Sequence, residues 1–93
     1  MFALPASVQF DTFTELRASG EAFVESHPDT AVFDLAPLRE CNSAAVALLM
    51  AWYRFAHARG KTIVYTHAAP DLVNLIRVSG LEEILPLSHD EHH

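Results

Sequence analysis

The chain has a single cysteine, Cys41, directly before a long apolar segment. If that segment is a helix, the positive end of its dipole favours the thiolate, which is the nucleophilic form of cysteine. Nucleophilic catalysis also requires a base within hydrogen-bond reach, and His57 and His67 lie elsewhere in the sequence. We therefore interpret Cys41 as a small, partly buried side chain with a packing role. The alternative is that the protein is a small thiol enzyme that uses Cys41 as its nucleophile.

Ser43 is the second residue near this point whose side chain allows chemistry. Either Asn42 or Ser43 can cap a helix that starts here, because the amide or hydroxyl oxygen accepts a hydrogen bond from a backbone N–H of the first turn. Ser43 can also accept a phosphate or contact a partner protein. A phosphate would suit the helix N-terminus but would disrupt a docked interface through its charge and bulk. The residues alone leave these three interpretations open.

The C-terminal segment contains side-chain types that bind metals: His89, Asp90, Glu91, His92 and His93. We expect only adventitious binding there, because a flexible tail has no surrounding hydrogen bonds to fix the ligand geometry. The sequence also lacks a Gly-rich phosphate loop, a Gly-x-Ser-x-Gly motif and a pair of catalytic carboxylates. We predict no metal site, no cofactor and no catalytic residue.

The composition indicates one small domain. The chain has 93 residues, of which 51% are hydrophobic, enough for a single modest core. A net charge of −6 with only six Lys and Arg argues against a nucleic-acid surface, which needs clustered cations. No apolar window is long enough to cross a bilayer, the N-terminus lacks the basic residues of a secretory signal, and one cysteine fits a reducing compartment. We expect a cytoplasmic protein that does not bind nucleic acid.

Strand-like and helix-like segments alternate along the chain. Apolar, β-branched and aromatic residues predict strands at residues 2–4, 31–35 and 62–66. Helical periodicity with start and stop signals predicts helices between Thr12 and His27, from about 43 to 59, and between Pro70 and Gly80. This alternation predicts an α/β fold, with a mostly parallel or mixed sheet and helices packed on it. We assign one domain to residues 1–87 and a flexible polar tail to residues 88–93.

The second predicted helix is more apolar than a helix on one side of a sheet requires. Every position from Ala44 to Tyr53 is apolar, and the helix carries two adjacent stripes. One consists of Val46, Leu49, Met50 and Tyr53, and the other of Ala45, Leu48, Trp52 and Phe55. Either the domain's own core or a partner protein buries the surplus. We favour a partner groove that includes Trp52, because tryptophan is enriched in binding hot spots.

Three segments, in order, resemble a STAS domain: residues 33–38 (Phe-Asp-Leu-Ala-Pro-Leu), 41–49 (Cys-Asn-Ser-Ala-Ala-Val-Ala-Leu-Leu) and 80–87 (Gly-Leu-Glu-Glu-Ile-Leu-Pro-Leu). The family pattern is a strand ending in Asp-Leu-Ser, a short loop, Asp-Ser/Thr-x-Gly-Leu opening an apolar helix, and a late Gly-Leu. The family includes anti-anti-sigma factors, the tails of sulfate transporters and the small STAS subunit of the Mla phospholipid ABC transporter. The resemblance extends from Phe2 to about Leu87.

The chain departs from this pattern at several positions. Asn42 stands where the family usually has Asp, and Ala44 and Ala45 replace a small-Gly pair. Ser43 matches the Ser or Thr that a kinase phosphorylates in anti-anti-sigma factors. Residues 2–4 resemble the second strand of the family, so the usual first strand is missing. A missing strand would leave a sheet edge open for a partner strand or for a second copy in a homodimer.

The short chain, the lack of fused domains and the apolar second helix bring it closest to the Mla-type subunit. The resemblance implies a non-catalytic domain that docks on the ATPase subunit of an ABC transporter, at the inner face of the inner membrane. The alternative is an anti-sigma factor antagonist that binds a kinase and is switched by phosphorylation at Ser43. The predicted partner-binding residues are Cys41, Asn42, Ser43, Leu48, Trp52 and Phe55.

Overall fold

The computed structural model describes residues 1–88 and confirms the predicted α/β class. Strands and helices alternate throughout this part of the chain. In order, they are β1 (Phe2–Ala3), α1 (Phe13–Glu25), β2 (Thr30–Asp34), α2 (Ser43–Ala58), β3 (Thr62–Thr66) and α3 (Pro70–Val78). Within residues 1–88, no helix has both the length and the apolar character needed to span a membrane.

Local sequence sets the boundaries of the last two helices. Pro70 opens α3, where its fixed φ suits the helix and its missing N–H has no bond to lose. Asp71 adds a carboxylate beside the positive end of the helix dipole. Beyond the ends of α2 and α3 lie Gly60 and Gly80, with φ of +67° and +78°. Glycine adopts this left-handed conformation without steric cost, and it ends both helices.

The sheet is parallel across its three strands, in the order β1-β2-β3. Because the spatial order follows the chain order and βαβ crossovers are right-handed, the helices all pack on the same face of the sheet. Their buried side chains form a single hydrophobic core with that face. The described chain is therefore a two-layer structure of one sheet and one layer of helices.

The two faces of the sheet differ in burial, as the alternation of side chains in a strand requires. The residues that face the helices are at most 3% exposed: Ala31, Phe33, Ile63 and Tyr65. The alternate residues face away and are partly exposed: Val32, Asp34, Val64 and Thr66. The second face of the sheet is therefore less buried by residues 1–88 than the face that meets the helices.

Strand β1 lies at one edge of the sheet. Phe2 and Ala3 pair with β2, and the Leu4 N–H donates to the Asp34 carbonyl at 3.1 Å. Within residues 1–88, no strand pairs with the outer side of β1. Pairing of this edge with a second copy or a partner strand stays a prediction.

The segment after α3 returns to the other edge of the sheet. Leu87 forms a parallel bridge with Tyr65, and the Ser88 N–H donates to the Tyr65 carbonyl at 2.8 Å. Ser88 was assigned to the polar tail, so contact with the sheet extends one residue further than expected. The rest of that tail, residues 89–93, lies outside the described residues.

The indole of Trp52 is the point where α1, α2 and the sheet meet. It is fully buried and stacks on Phe33 with ring centroids 4.5 Å apart, while Phe2 contacts its edge at 5.6 Å. Its Nε1–H donates to the Arg17 carbonyl of α1 at 3.0 Å. Gly20 of α1 lies against the same ring, so closely that a Cβ at this position would overlap the indole.

Replacing Gly20 with alanine is expected to destabilise the domain by about 1–3 kcal/mol, the usual cost of overpacking a core. The direction of this change in stability is informative, because replacing glycine with alanine in a helix interior normally stabilises a protein. Equilibrium urea unfolding measures the change in the free energy of unfolding. Ser19→Ala, an exposed position of the same helix, should stay within about 0.5 kcal/mol of wild type.

A double-mutant cycle tests whether the indole causes this cost. In a Trp52→Phe background the overlapping ring atoms are absent, so Gly20→Ala should destabilise the domain less than in wild type. An equal cost in both backgrounds would show that the Gly20–Trp52 contact does not set the distance between α1 and α2.

Candidate protein-interaction surface

The loop from β2 to α2, residues 35–42, is fixed on the body of the domain. Leu38 is buried in the core. The backbone N–H groups of Arg39 and Glu40 both donate to the Ala6 carbonyl, at 2.7 and 3.1 Å. In a parallel sheet this loop and the one after β3 lie at the carboxyl ends of the strands, where α/β proteins usually place their binding sites. The loop therefore presents the start of α2 in a defined position.

Asn42 is the N-cap of α2. Its backbone is extended, with φ −135° and ψ 176°, and its Oδ1 accepts the Ala45 N–H at 2.9 Å. Ser43 is the first helical residue, and its side chain is exposed without a hydrogen bond to any residue of 1–88. The interpretation of Ser43 as the cap is therefore wrong, because Asn42 already satisfies the first turn. The Ser43 hydroxyl points to solvent and is free to contact another molecule.

Cys41 lies half-buried at the edge of a shallow depression between this loop and α3. The depression is lined by Arg39, Cys41, Asp71, Asn74, Leu75 and Val78. Burial, with a smaller contribution from the Asp71 carboxylate, raises the pKa of the Cys41 thiol above its ordinary value. A raised pKa disfavours the thiolate, so the environment of Cys41 is the opposite of what a nucleophilic cysteine requires.

Two of the predicted contact residues on α2 are wrong. Leu48 and Trp52 both have 0% exposure in this chain alone, so neither can reach a partner without unfolding the core. The surplus apolar surface of α2 is covered by α1, which packs against it through Gly20 and Val24. Core packing, the other interpretation of this helix, is the correct one for these two positions.

Phe55 is intermediate between core and surface. Its ring packs against the core at one side, and the Arg59 guanidinium lies over it, 3.7 Å from the ring centroid. Arg59 is held there by an ion pair with Glu25 of α1 at 2.8 Å. Phe55 is therefore shielded by a neighbouring side chain, and its contact with a partner stays a prediction.

The outward face of α2 carries different residues from those predicted. Ser43, Ala47 and Arg54 are exposed along one line of the helix, with Met50 and Ala51 half-buried beside them. Their spacing of i, i+4, i+7 or i+8, and i+11 is that of a single helical face. The sequence contains the signal that finds this face, since it lies opposite the stripe of Ala45, Leu48, Trp52 and Phe55. Only Ser43 of this set was predicted as a contact.

A second feature at the carboxyl end of the sheet has no sequence signal. His67, directly after β3, has a left-handed backbone with φ +61°, which is unusual for a residue with a side chain. Its Nδ1 lies 3.1 Å from Oδ1 of Asp34, which also accepts the Ala36 N–H at 3.1 Å. This contact joins the ends of β2 and β3 and fixes the start of both loops.

Within residues 1–88, no group of three or more His, Cys, Asp or Glu side chains could hold a metal ion. The C-terminal histidines that the sequence analysis considered lie outside the described residues.

Comparison with known proteins places this arrangement in a family. The family described as "Mlab, STAS domain" matches residues 3–86. The chain belongs to the MlaB-like STAS domain family. No protein of curated function matches it.

A solved structure supports the same STAS fold. It is described as an anti-sigma-factor antagonist (STAS) domain protein from Planctomyces limnophilus, and it superposes with a TM-score of 0.71. The match covers 96% of this chain and 81% of that chain, at 18% sequence identity. At this identity the likeness is one of fold. The predicted STAS architecture is confirmed, and STAS domains generally bind or regulate other proteins without catalysing a reaction.

In this STAS domain Asn42 caps α2, whereas the neighbouring Ser43 side chain makes no hydrogen bond within residues 1–88, and this predicts different effects on stability. Asn42→Ala should destabilise the domain by about 1 kcal/mol, because it removes the acceptor for the Ala45 N–H. Ser43→Ala should change the free energy of unfolding by less than about 0.5 kcal/mol, because no side-chain hydrogen bond within residues 1–88 is lost. Chemical denaturation of both variants measures the difference. A larger loss for Ser43→Ala than for Asn42→Ala would contradict the assignment of the cap.

The raised pKa of Cys41 predicts slow alkylation near neutral pH. The rate of reaction with iodoacetamide should follow the thiolate fraction and reach its midpoint at a higher pH than that of a cysteine in an unstructured peptide. Asp71→Asn should shift the midpoint to lower pH, because it removes a negative charge that disfavours the thiolate. Glu40→Gln removes a carboxylate next to Cys41 in sequence and should leave the midpoint unchanged. Fast alkylation of the wild type at pH 7 would instead restore the thiol-enzyme alternative.

Proposed function

We propose that this STAS domain is the small cytoplasmic subunit of an Mla-type phospholipid ABC transporter and docks on its ATPase subunit. The observation that carries the proposal is the MlaB-like family match over residues 3–86. The free hydroxyl of Ser43, at the exposed start of α2, supports the choice of surface. The domain has its effect while it is bound to the ATPase subunit, which holds it at the inner face of the inner membrane.

The physical character of the surface supports docking. Ser43, Ala47 and Ala51 are small, so a partner backbone can approach α2 closely. The neighbouring depression combines the polar side chains of Arg39, Asp71 and Asn74 with the apolar side chains of Leu75 and Val78. Protein–protein interfaces likewise combine apolar and polar contacts. The contact surface therefore comprises Cys41, Asn42 and Ser43 with the outward face of α2.

The second candidate function is that of an anti-sigma factor antagonist. The accessible, unbonded hydroxyl of Ser43 favours it, because a kinase could reach this side chain without disturbing the cap. In this case phosphate at Ser43 would release the partner by charge and bulk. The two functions share a surface and differ in whether a phosphate cycles on it.

Co-purification from the native organism tests the transporter assignment. An affinity-tagged chain, isolated from detergent-solubilised cells, should recover the transporter's ATPase and membrane subunits, and its intact mass should show no phosphate in any growth state. Ser43→Thr should keep the complex, whereas Ser43→Asp should reduce its affinity about tenfold or more, because the carboxylate must be desolvated when the partner docks.

The outcome that favours the second function is equally specific. Recovery of a kinase in place of the ATPase, with phosphate on Ser43 that appears and disappears with growth conditions, would replace the transporter assignment. The acidic variant alone does not separate the two, so the mass of the native protein and the identity of the partner decide.

A further inference from the structure

Three of the six Lys and Arg side chains of this acidic protein are engaged in contacts within residues 1–88. Arg59 pairs with Glu25 at 2.8 Å and Arg77 with Glu82 at 3.3 Å. Lys61 donates to the backbone carbonyls of Glu25 and His27. Among residues 1–88, the cationic side chains without an ion pair or hydrogen bond are Arg17, Arg39 and Arg54.

Arg54 differs from the other two in its surroundings. Arg17 has Glu21 four positions later on α1, and Arg39 is followed by Glu40. By contrast, the sixteen residues of α2 contain no Asp or Glu, although the chain has twelve acidic residues against six Lys and Arg. Arg54 is exposed and lies on the same line of α2 as Ser43 and Ala47. The outward face of α2 therefore carries the Arg54 guanidinium and no carboxylate from α2 itself, on a protein of net charge −6.

We infer that Arg54 binds a carboxylate on the docked ATPase and so fixes how far along α2 the contact extends. The inference rests on the proposed function and adds the chemistry of the partner: an acidic side chain that meets the last third of α2, at Arg54. Small residues at Ser43, Ala47 and Ala51 let the partner approach closely enough for its carboxylate to reach the guanidinium. Arginine suits this role because its planar group binds carboxylates through two parallel hydrogen bonds.

An anionic membrane surface would also attract a cation, but the charge of the molecule argues against it. One Lys or Arg near such a surface contributes only about 1 kcal/mol. Membrane binding by charge therefore needs a cluster of cations, and Arg54 is the only Lys or Arg of α2 in a chain of net charge −6. A single guanidinium on an apolar strip fits one carboxylate of a protein partner better.

The affinity of the purified ATPase subunit for charge variants of the full chain tests the inference. Arg54→Glu should weaken binding about tenfold or more, because it places like charges together at the interface. Arg54→Lys should weaken it less, since it keeps the charge and loses the two-bond geometry. Arg17→Glu makes the same charge change on α1 and should leave the affinity within about twofold. The wild-type affinity should fall with added salt more steeply than that of Arg54→Ala.

The possible failures can be told apart. If the ATPase binds Arg54→Glu as tightly as wild type, the proposed function stands and the role of Arg54 is wrong. If the ATPase does not bind the wild-type chain at all, the proposed function fails and this inference fails with it. If the chain binds vesicles of phosphatidylglycerol and Arg54→Glu abolishes that binding, the partner of Arg54 is a lipid phosphate and the carboxylate assignment is overturned. Circular dichroism of each variant confirms that it is folded.

Discussion

The packing of the Trp52 indole is the contact on which the rest of this domain depends. The ring fills the junction of α1, α2 and the sheet, and it does so without an unsatisfied polar atom, because its N–H donates to the Arg17 carbonyl. Gly20 allows α1 to approach the ring directly. A larger residue on α1 would separate the helices and leave apolar surface of α2 open. One tryptophan and one glycine, 32 positions apart in the sequence, thus set the distance and rotation of α2.

The rotation of α2 decides which residues can take part in recognition. With Trp52, Leu48 and Leu49 turned into the core, the opposite line of the helix must face solvent. A second contact holds the same rotation from the sheet, since the Tyr65 hydroxyl donates to the Leu49 carbonyl at 2.6 Å. Burial raises the pKa of Tyr65 well above its ordinary value, so the hydroxyl stays protonated and keeps this bond. Core packing on one side of α2 therefore determines which side chains the other side exposes to solvent.

The sequence predicts local features of this structure better than pairings between distant elements. Strand composition, the Pro70 start and the Gly60 and Gly80 stops act within a few residues, and the corresponding elements are found where expected. The burial of Trp52 depends on Gly20, and nothing near Trp52 in sequence signals it. The choice between Asn42 and Ser43 as the cap depends on one residue of register, which capping preferences do not resolve because both types cap well. The left-handed backbone of His67 also has no signal in the neighbouring sequence. Its partner, Asp34, comes from another strand and lies 33 positions away in the chain.

The division of roles between Asn42 and Ser43 connects fold and function most directly. A serine hydroxyl that caps the N-terminus of its own helix accepts a hydrogen bond from a backbone N–H. A partner or a kinase that uses such a hydroxyl must break that hydrogen bond. Here the amide of Asn42 completes the first turn, so Ser43 is free at no cost to stability. The resemblance to STAS domains places an aspartate at the position of Asn42, and the amide keeps the cap while removing a negative charge beside Ser43. A partner that approaches this helix start therefore meets no carboxylate from Asn42, and the Arg54 guanidinium lies further along the exposed face of the same helix.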